Sequence, residues 1–304
     1  MKDITAKIMF CLWLAVSLSG LAWAGDYSRV SERSAAASEA APSDLTLGNF
    51  FSEGWRDPWL KRSHADGAPD MTLLRVQTNM LLRSLRTDYY DQRLTNQNAN
   101  RDIQYLSQLI EYAFNRRLML AVFGSYQWID SRLGEDMNGP TWAALARFQM
   151  VDTAHASYAL NLKVTAPNGG LDEKQTTLSA ALAGWHDLTP LGLDRVGIYW
   201  HVQEETLAGP HSAGVRQNDL TYDVSLAKTW TGRDAALGNF STFVEAYAKT
   251  DLDGPHPGKT VVTLTPGLRC TLARHHIVMV GVDLPLTHPR TFEETFRLTY
   301  IYSF

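Results

Sequence analysis

From about residue 72 to the C-terminus, apolar and polar residues alternate with a period of two, and the pattern keeps returning after short interruptions. In 193–205, Val196, Ile198, Trp200 and Val202 oppose Arg195, Tyr199, His201 and Gln203. In 217–230, Leu220, Tyr222, Val224 and Leu226 oppose Asp219, Thr221, Asp223 and Ser225. In 155–166, Tyr158, Leu160, Leu162 and Val164 oppose Ser157, Asn161, Lys163 and Thr165. A period of two sends successive side chains to opposite faces of a strand. Twelve such segments are readable: 72–91, 101–114, 117–130, 141–151, 155–166, 174–187, 193–205, 217–230, 238–250, 259–271, 275–285 and 292–304. Arg83 and Arg86 interrupt the second half of the first.

Alternation alone does not say which face is wet. A soluble β-sandwich would turn its apolar residues inward, whereas a transmembrane barrel turns them outward to lipid and lines its lumen with polar groups. The connections favour the barrel. If the first strand runs outward, the even-numbered connections are mostly short: Asn115-Arg116, Val151 to Ala154, Leu188 to Gly192, Thr231 to Leu237 and Leu272 to Arg274. The odd-numbered ones are mostly longer and rich in Gly, Pro, Asn and Asp: Arg93 to Asn100, Ser131 to Pro140, Ala166 to Glu173, Thr206 to Arg216, Asp251 to Gly258 and Pro285 to Arg290. The expected fold is therefore all-β, a transmembrane antiparallel up-and-down β-barrel of about 12 strands, with short periplasmic turns and longer extracellular loops.

The two ends agree. Lys2, Asp3 and Lys7 precede an apolar run from Ile8 to Leu21, and Ala22-Trp23-Ala24 closes it before Gly25. That is the build of a Sec-type signal peptide cleaved after Ala24, and the run is shorter than the roughly 20 residues a spanning helix needs. Cleavage leaves Cys270 as the one cysteine, so no internal disulfide is expected. At the other end Phe292, Phe296, Leu298, Tyr300, Tyr302 and Phe304 share one parity, and only Glu294 and Ile301 break the alternation. This resembles the C-terminal strand of outer-membrane proteins, which implies that Tyr300, Tyr302 and Phe304 form the membrane-insertion signal read by the barrel-insertion machinery. The division expected is a leader over 1–24, an N-terminal linker over 25–71 and a barrel over 72–304.

Residues 25–71 fit no strand pattern. Gly25 to Ser43 is rich in Ser, Ala and Glu and reads as a linker, but Leu45 to Trp59 carries Phe50, Phe51, Trp55 and Trp59. Two readings stay open: a plug inserted in the lumen, or a periplasmic lid or first strand packed at the rim.

Composition narrows function by exclusion. Net charge falls from −4 to −5 when the leader's Lys2, Asp3 and Lys7 are removed, which argues against a nucleic-acid partner. Catalytic constellations are sparse. His155 and Ser157 share a strand face with Asn161 and superficially resemble an outer-membrane phospholipase arrangement, but the phase points Ser157 into the lumen at the periplasmic end. Pro210-His211-Ser212-Ala213-Gly214 misses the nucleophile elbow, since proline takes the first glycine position. His275 and His276 point to opposite faces and cannot chelate one ion together. Asp251, Asp253, Glu135 and Asp136 read as solvated loop carboxylates, with weak Ca²⁺ binding as the alternative. No catalytic residue, metal or cofactor is expected. The positions expected to carry function are lumen-lining: Arg75, Arg83, Glu111, Arg147, Lys163, His201, Asp219, Asp223, Glu245, Lys249, Asp283 and Arg297. Charge facing lipid would be costly, and both signs are present, so an ion-pair lattice bracing the wall is the plain alternative to selectivity.

Pro266-Gly267-Leu268-Arg269, Gly281-Val282-Asp283-Leu284-Pro285-Leu286 and the terminal strand Phe296 to Phe304 resemble the outer-membrane β-barrel transporters of the phenol meta-degradation pathway type. The resemblance spans about Leu45 to Phe304. It implies a channel for passive uptake of small molecules, hydrophobic or aromatic ones among them, with outer-membrane lipid and the insertion machinery as partners. A structural or adhesive barrel without an open pore, and a barrel lipid hydrolase using His155 and Ser157, are the competing function classes.

Overall fold

The computed structural model describes residues 43–59, 67–94, 102–131, 134–166, 176–208, 218–232, 235, 238–272, 275–288, 290 and 292–304. The signal-peptide region, most of the 25–43 linker and the 210–214 loop lie outside them. Residues Asp44–Phe304 form one compact unit.

That unit is built on twelve strands: β1 Arg83–Leu94, β2 Asp102–Ala113, β3 Leu118–Ser131, β4 Gly134–Asp152, β5 Ala156–Thr165, β6 Thr176–Asp187, β7 Val196–Ala208, β8 Asn218–Thr229, β9 Phe240–Asp251, β10 Thr260–Leu272, β11 His276–Pro285 and β12 Phe292–Ser303. Each pairs with its sequence neighbours, all antiparallel, and β12 closes the ring against β1 from Ser84 opposite Ser303 to Leu94 opposite Phe292. Closure satisfies the backbone groups that an open edge would leave unpaired. Both strand termini meet at what we call the near end, where the Phe304 amide donates to the Arg83 carbonyl at 3.0 Å.

The alternation sorts as the sequence predicts. Leu182, Val202, Tyr222, Val224, Leu226 and Val244 stand exposed on the outer face, while Asn161, His201, Gln203, Asp223, Ser225 and Glu245 are buried within. Large outward aromatics cover gaps in the wall: Trp200 lies across its register partner Gly184, where an added Cβ would come within 2.6 Å of the indole. A cross-strand aromatic over glycine buries backbone that would otherwise lie bare.

Two strand expectations need correcting. The first strand begins at Arg83 rather than at residue 72, and 72–82 lies inside the barrel. The adjacent apolar pairs Leu73-Leu74 and Leu81-Leu82 already break the period there, as a non-strand segment buried on all sides should. The long connection expected at 131–140 is mostly strand: β3 and β4 extend past the wall as a ribbon, pairing out to Ser131 opposite Gly134.

The barrel has an apolar core in its lumen. Ala68, Met71, Leu73, Leu74 and Val76 pack against the inward-facing Trp185, Tyr199, Ala227, Phe243, Ile277, Met279 and Ile301. Leu81 and Leu82 pack with Ala113, Met119 and Ala121, and Trp59 leans on this second cluster. Residues 44–59 lie across the near end beside the β2–β3 and β4–β5 turns, through bridges of Leu45 with Asp152 and Pro58 with Asn115.

Candidate functional site in the barrel lumen

Residues 67–82 form a loop inside the lumen, closed at its base where Asn79 Nδ2 donates to Asp70 Oδ2 at 2.9 Å. A backbone with no helix or sheet partner must find its hydrogen bonds elsewhere, and here the wall supplies them. The Ala68 amide donates to Asp187 Oδ1 at 3.0 Å, and Tyr199 donates its hydroxyl to the Pro69 carbonyl. At the tip, Glu245 accepts from the Arg75 and Val76 amides at 3.2 Å. The Gln77 amide donates to His201 Nδ1 at 3.1 Å, which requires that nitrogen to be bare and leaves the proton on Nε2. On the descending limb, Asn161 Nδ2 reaches Gln77 Oε1 at 3.1 Å and Arg147 Nη1 reaches the Met80 carbonyl at 2.7 Å. Asp70 is half-buried, and loss of solvent pushes its carboxyl up to about 7, against the Asn79 amide and the Ser157 hydroxyl, which pull the other way.

Around this loop the predicted charged residues sort into groups. Asp283 accepts from Arg75 Nη1 at 2.5 Å, from Arg297 Nε at 2.7 Å and from Thr265 Oγ1 at 2.7 Å. The Arg75 guanidinium also lies 3.7 Å from the centre of the Tyr247 ring, in cation–π contact. Asp223, 1% exposed, has both carboxylate oxygens buried without a hydrogen-bond donor. Its charged neighbours are Glu245, Arg75, Asp283 and Arg297. Glu111 pairs with Arg147 at 3.3 Å and accepts from Ser84 at 2.7 Å. Lys163 faces Glu205 at 3.6 Å, both partly exposed, and the partly exposed Lys249 meets the buried Asp219 at 2.9 Å.

Arg75 thus reaches the lumen from the inserted loop and not from a wall strand, and Arg83 does not reach it. Arg83 lies on the outer face at the near end, with Nε on the Ala113 carbonyl and its guanidinium over Tyr112 and Trp59. The inward cation of β1 is Arg86, bonded to Asp88 at 2.8 Å, and Asp88 also accepts from Thr299. Sequence reasoning missed this pair because it extended β1 back into the loop. The aromatic plug candidates lie outside the lumen loop. Phe51 is 92% exposed, Phe50 and Trp55 pack on each other at the near end, and Trp59 donates to the Leu81 carbonyl at 3.2 Å where the loop meets β1. The signal for the actual insert was the run of doubled leucines and amides from Thr72 to Leu82, not the aromatics before it.

Arg117 fastens the near-end segment. Its fully buried guanidinium donates to the carbonyls of Glu53, Gln149, Met150 and Thr46 and to Asn49 Oδ1, at 2.7–3.3 Å, with the Phe50 ring 5.0 Å away. At the C-terminus, Tyr300 donates or accepts a 2.7 Å bond with His276 Nδ1, while His275 Nδ1 contacts the Ser303 carbonyl, so the two histidines part as expected. His155 and Ser157 do not form a pair: His155 Nδ1 bonds Asp187 at 3.1 Å, and Ser157 accepts from Gln149 Nε2 at 2.8 Å. Among the described residues no group of three or more His, Cys, Asp or Glu is placed to hold a metal ion.

No protein-family model and no curated protein matches the chain. Solved structures do. A KdgM porin in complex with disordered oligogalacturonate is similar at a TM-score of 0.50 and 12% identity, covering 73% of this chain and 99% of that one. The fold is that of outer-membrane β-barrels. A NanC porin follows at 0.49 and 8% identity, with 73% of this chain and 99% of that one covered. The β domain of the Bordetella autotransporter BrkA gives 0.45 and 12%, covering 73% and 98%. At these identities the likeness is one of fold.

Proposed function

We propose that this chain is an outer-membrane channel for small solutes, held shut at rest by its own residues 67–82. The observation that carries this reading is the way the loop is seated: its amides are satisfied by Glu245, His201 and Asp187, side chains of three different wall strands, and not by a wall strand's ladder. A segment fastened by side chains can leave without breaking the barrel. In this reading the near end is periplasmic, the outer face meets outer-membrane lipid, residues 1–24 export the chain, and Tyr300, Tyr302 and Phe304 are read by the insertion machinery. Hydrophobic and aromatic solutes, the class implied by the family resemblance, are supported by the wall that the loop covers, where Trp185, Tyr199, Phe243, Ile277 and Met279 would line the path once Leu73 and Leu74 withdraw.

Planar-bilayer recording of the mature protein against a variant lacking residues 25–82 tests this. Rare or no steps from the full chain and stable conductance from the truncated one are expected. Silence from both, with each still migrating as a folded barrel on unheated SDS gels, would favour the second reading: a structural barrel whose wall side chains close the lumen even without the loop. Cell fractionation checks the membrane assignment.

A further inference from the structure

The wall around Arg75 is built as a receptor for a cation. Three buried carboxylates, Asp223, Glu245 and Asp283, face one wall guanidinium, Arg297. Arg75, which supplies the remaining positive charge, belongs to the loop and not to the wall. If the loop left, Glu245 would lose both amide donors and Asp283 would keep only Thr265 and Arg297, while Asp223 already has none. Burying carboxylates without donors is strongly unfavourable, so the vacated wall would need a replacement cation or water. Tyr247 adds the aromatic face on which Arg75 rests.

We propose that Asp223, Glu245, Asp283 and Tyr247 form a binding site for a solute bearing a guanidinium or organic ammonium group, occupied at rest by Arg75 as an internal competitor. A planar, weakly hydrated cation suits an aromatic face and a carboxylate together. A metal ion suits the site less, since no trio of ligands is spaced for one among the described residues. The Arg75 side chain keeps 13% of its surface accessible while Asp283 keeps 1%, so the arginine covers the carboxylate it pairs with. The binding site stands by itself; its consequence, that the solute displaces the loop and opens the path, rests on the channel reading above.

The test is calorimetric titration of the mature protein in detergent with agmatine, and with the uncharged analogue butylurea, alongside hydrogen exchange of residues 67–82. Saturable agmatine binding is expected, with loss of protection at 73–77, and no binding of butylurea. Arg75→Gln removes the competitor and should tighten agmatine by about tenfold or more, as when a binding-competent state populated about one time in ten becomes dominant. Asp283→Asn and Tyr247→Leu should each weaken it by about tenfold or more. An Arg75→Gln protein that runs as a folded barrel yet takes up no agmatine, or agmatine binding indifferent to both Asp283→Asn and Tyr247→Leu, overturns the site. Binding with loop release but no conductance would instead sink the channel reading and leave the site standing. Conductance on truncation without agmatine binding would do the reverse.

Discussion

Leu74, at the tip of the lumen loop, packs directly on Gly281 of β11, where an added Cβ would lie 2.5 Å from Leu74 Cδ1. The wall is thus hollowed by one missing methyl group to admit one leucine. Gly281→Ala should push the loop tip away while leaving the barrel closed, because the first atom it meets is the end of a side chain. Overpacking of this kind costs about 1–3 kcal/mol. Hydrogen exchange at 73–77 should rise in Gly281→Ala, and the further change Leu74→Ala should relieve the clash, so that the double variant falls short of the sum of its parts. Additive effects would mean that the clash is taken up by the Pro266 carbonyl, 3.0 Å from the same position, and not by the loop.

Arg117 offers a second handle, independent of the loop. Five donor contacts to four carbonyls and one side-chain oxygen need the fixed fork of a guanidinium, which a lysine ammonium does not supply. Arg117→Lys should therefore free residues 44–59 as fully as Arg117→Ala does. Hydrogen bonds to a charged group contribute about 1.5–3 kcal/mol each, and several are lost together, so a loss of about 3 kcal/mol or more in the local opening energy is expected. Limited proteolysis reads it directly: cleavage should appear between Asp44 and Trp59 in both variants with β2 to β12 still protease-resistant. Equal resistance of Arg117→Lys and the unaltered protein would show that charge alone holds the segment.

The barrel was legible and the loop was not, for a physical reason. Strands such as β7 and β8 carry an exposed apolar outer face and a buried polar inner one, so His201 and Asp223 announce their side by parity. Residues 72–82 are enclosed on every side, and a segment buried all round has no periodicity to read; extending β1 through it put Arg83 inside and hid Arg86 and Asp88. The charged residues of the site were named in advance because they fall on the strand parity opposite the apolar one, which an outward apolar face leaves to the lumen. Their grouping was not, because Arg75 and Asp283 lie 208 positions apart and no pattern along the chain links them. Tyr247 went unnamed since it looks like any aromatic on a strand until Arg75 is placed over it.

Hydrolytic activity gives a third check. With His155 turned to Asp187 and Ser157 held by Gln149, the histidine is not placed to take the serine's proton. The purified protein should release p-nitrophenol from a short acyl ester no faster than Ser157→Ala does. A rate that falls at least about tenfold in Ser157→Ala, and equally in His155→Ala, would restore the hydrolase reading.

The last expectation concerns pH and rests on Asp70, which lies in the loop and outside the strands. Burial raises its carboxyl from 3.8 to about 7 when the loop is seated; released into water, the group returns to the ordinary value. Below about 4 it is protonated in both states and docking is not penalised. As pH climbs from about 4 to about 7, only the released loop gives up its proton, so the seated state loses ground continuously. Above about 7 both are ionised and the difference levels off. Loop protection by hydrogen exchange, corrected for intrinsic rates, should therefore be greater at pH 5 than at pH 8. Asp70→Asn keeps a partner for Asn79 without the ionisable group, so it should raise protection at pH 8 and flatten the profile. If Asp70→Asn leaves the slope unchanged, the pH response belongs to another group, and Asp70 is ionised in the seated loop.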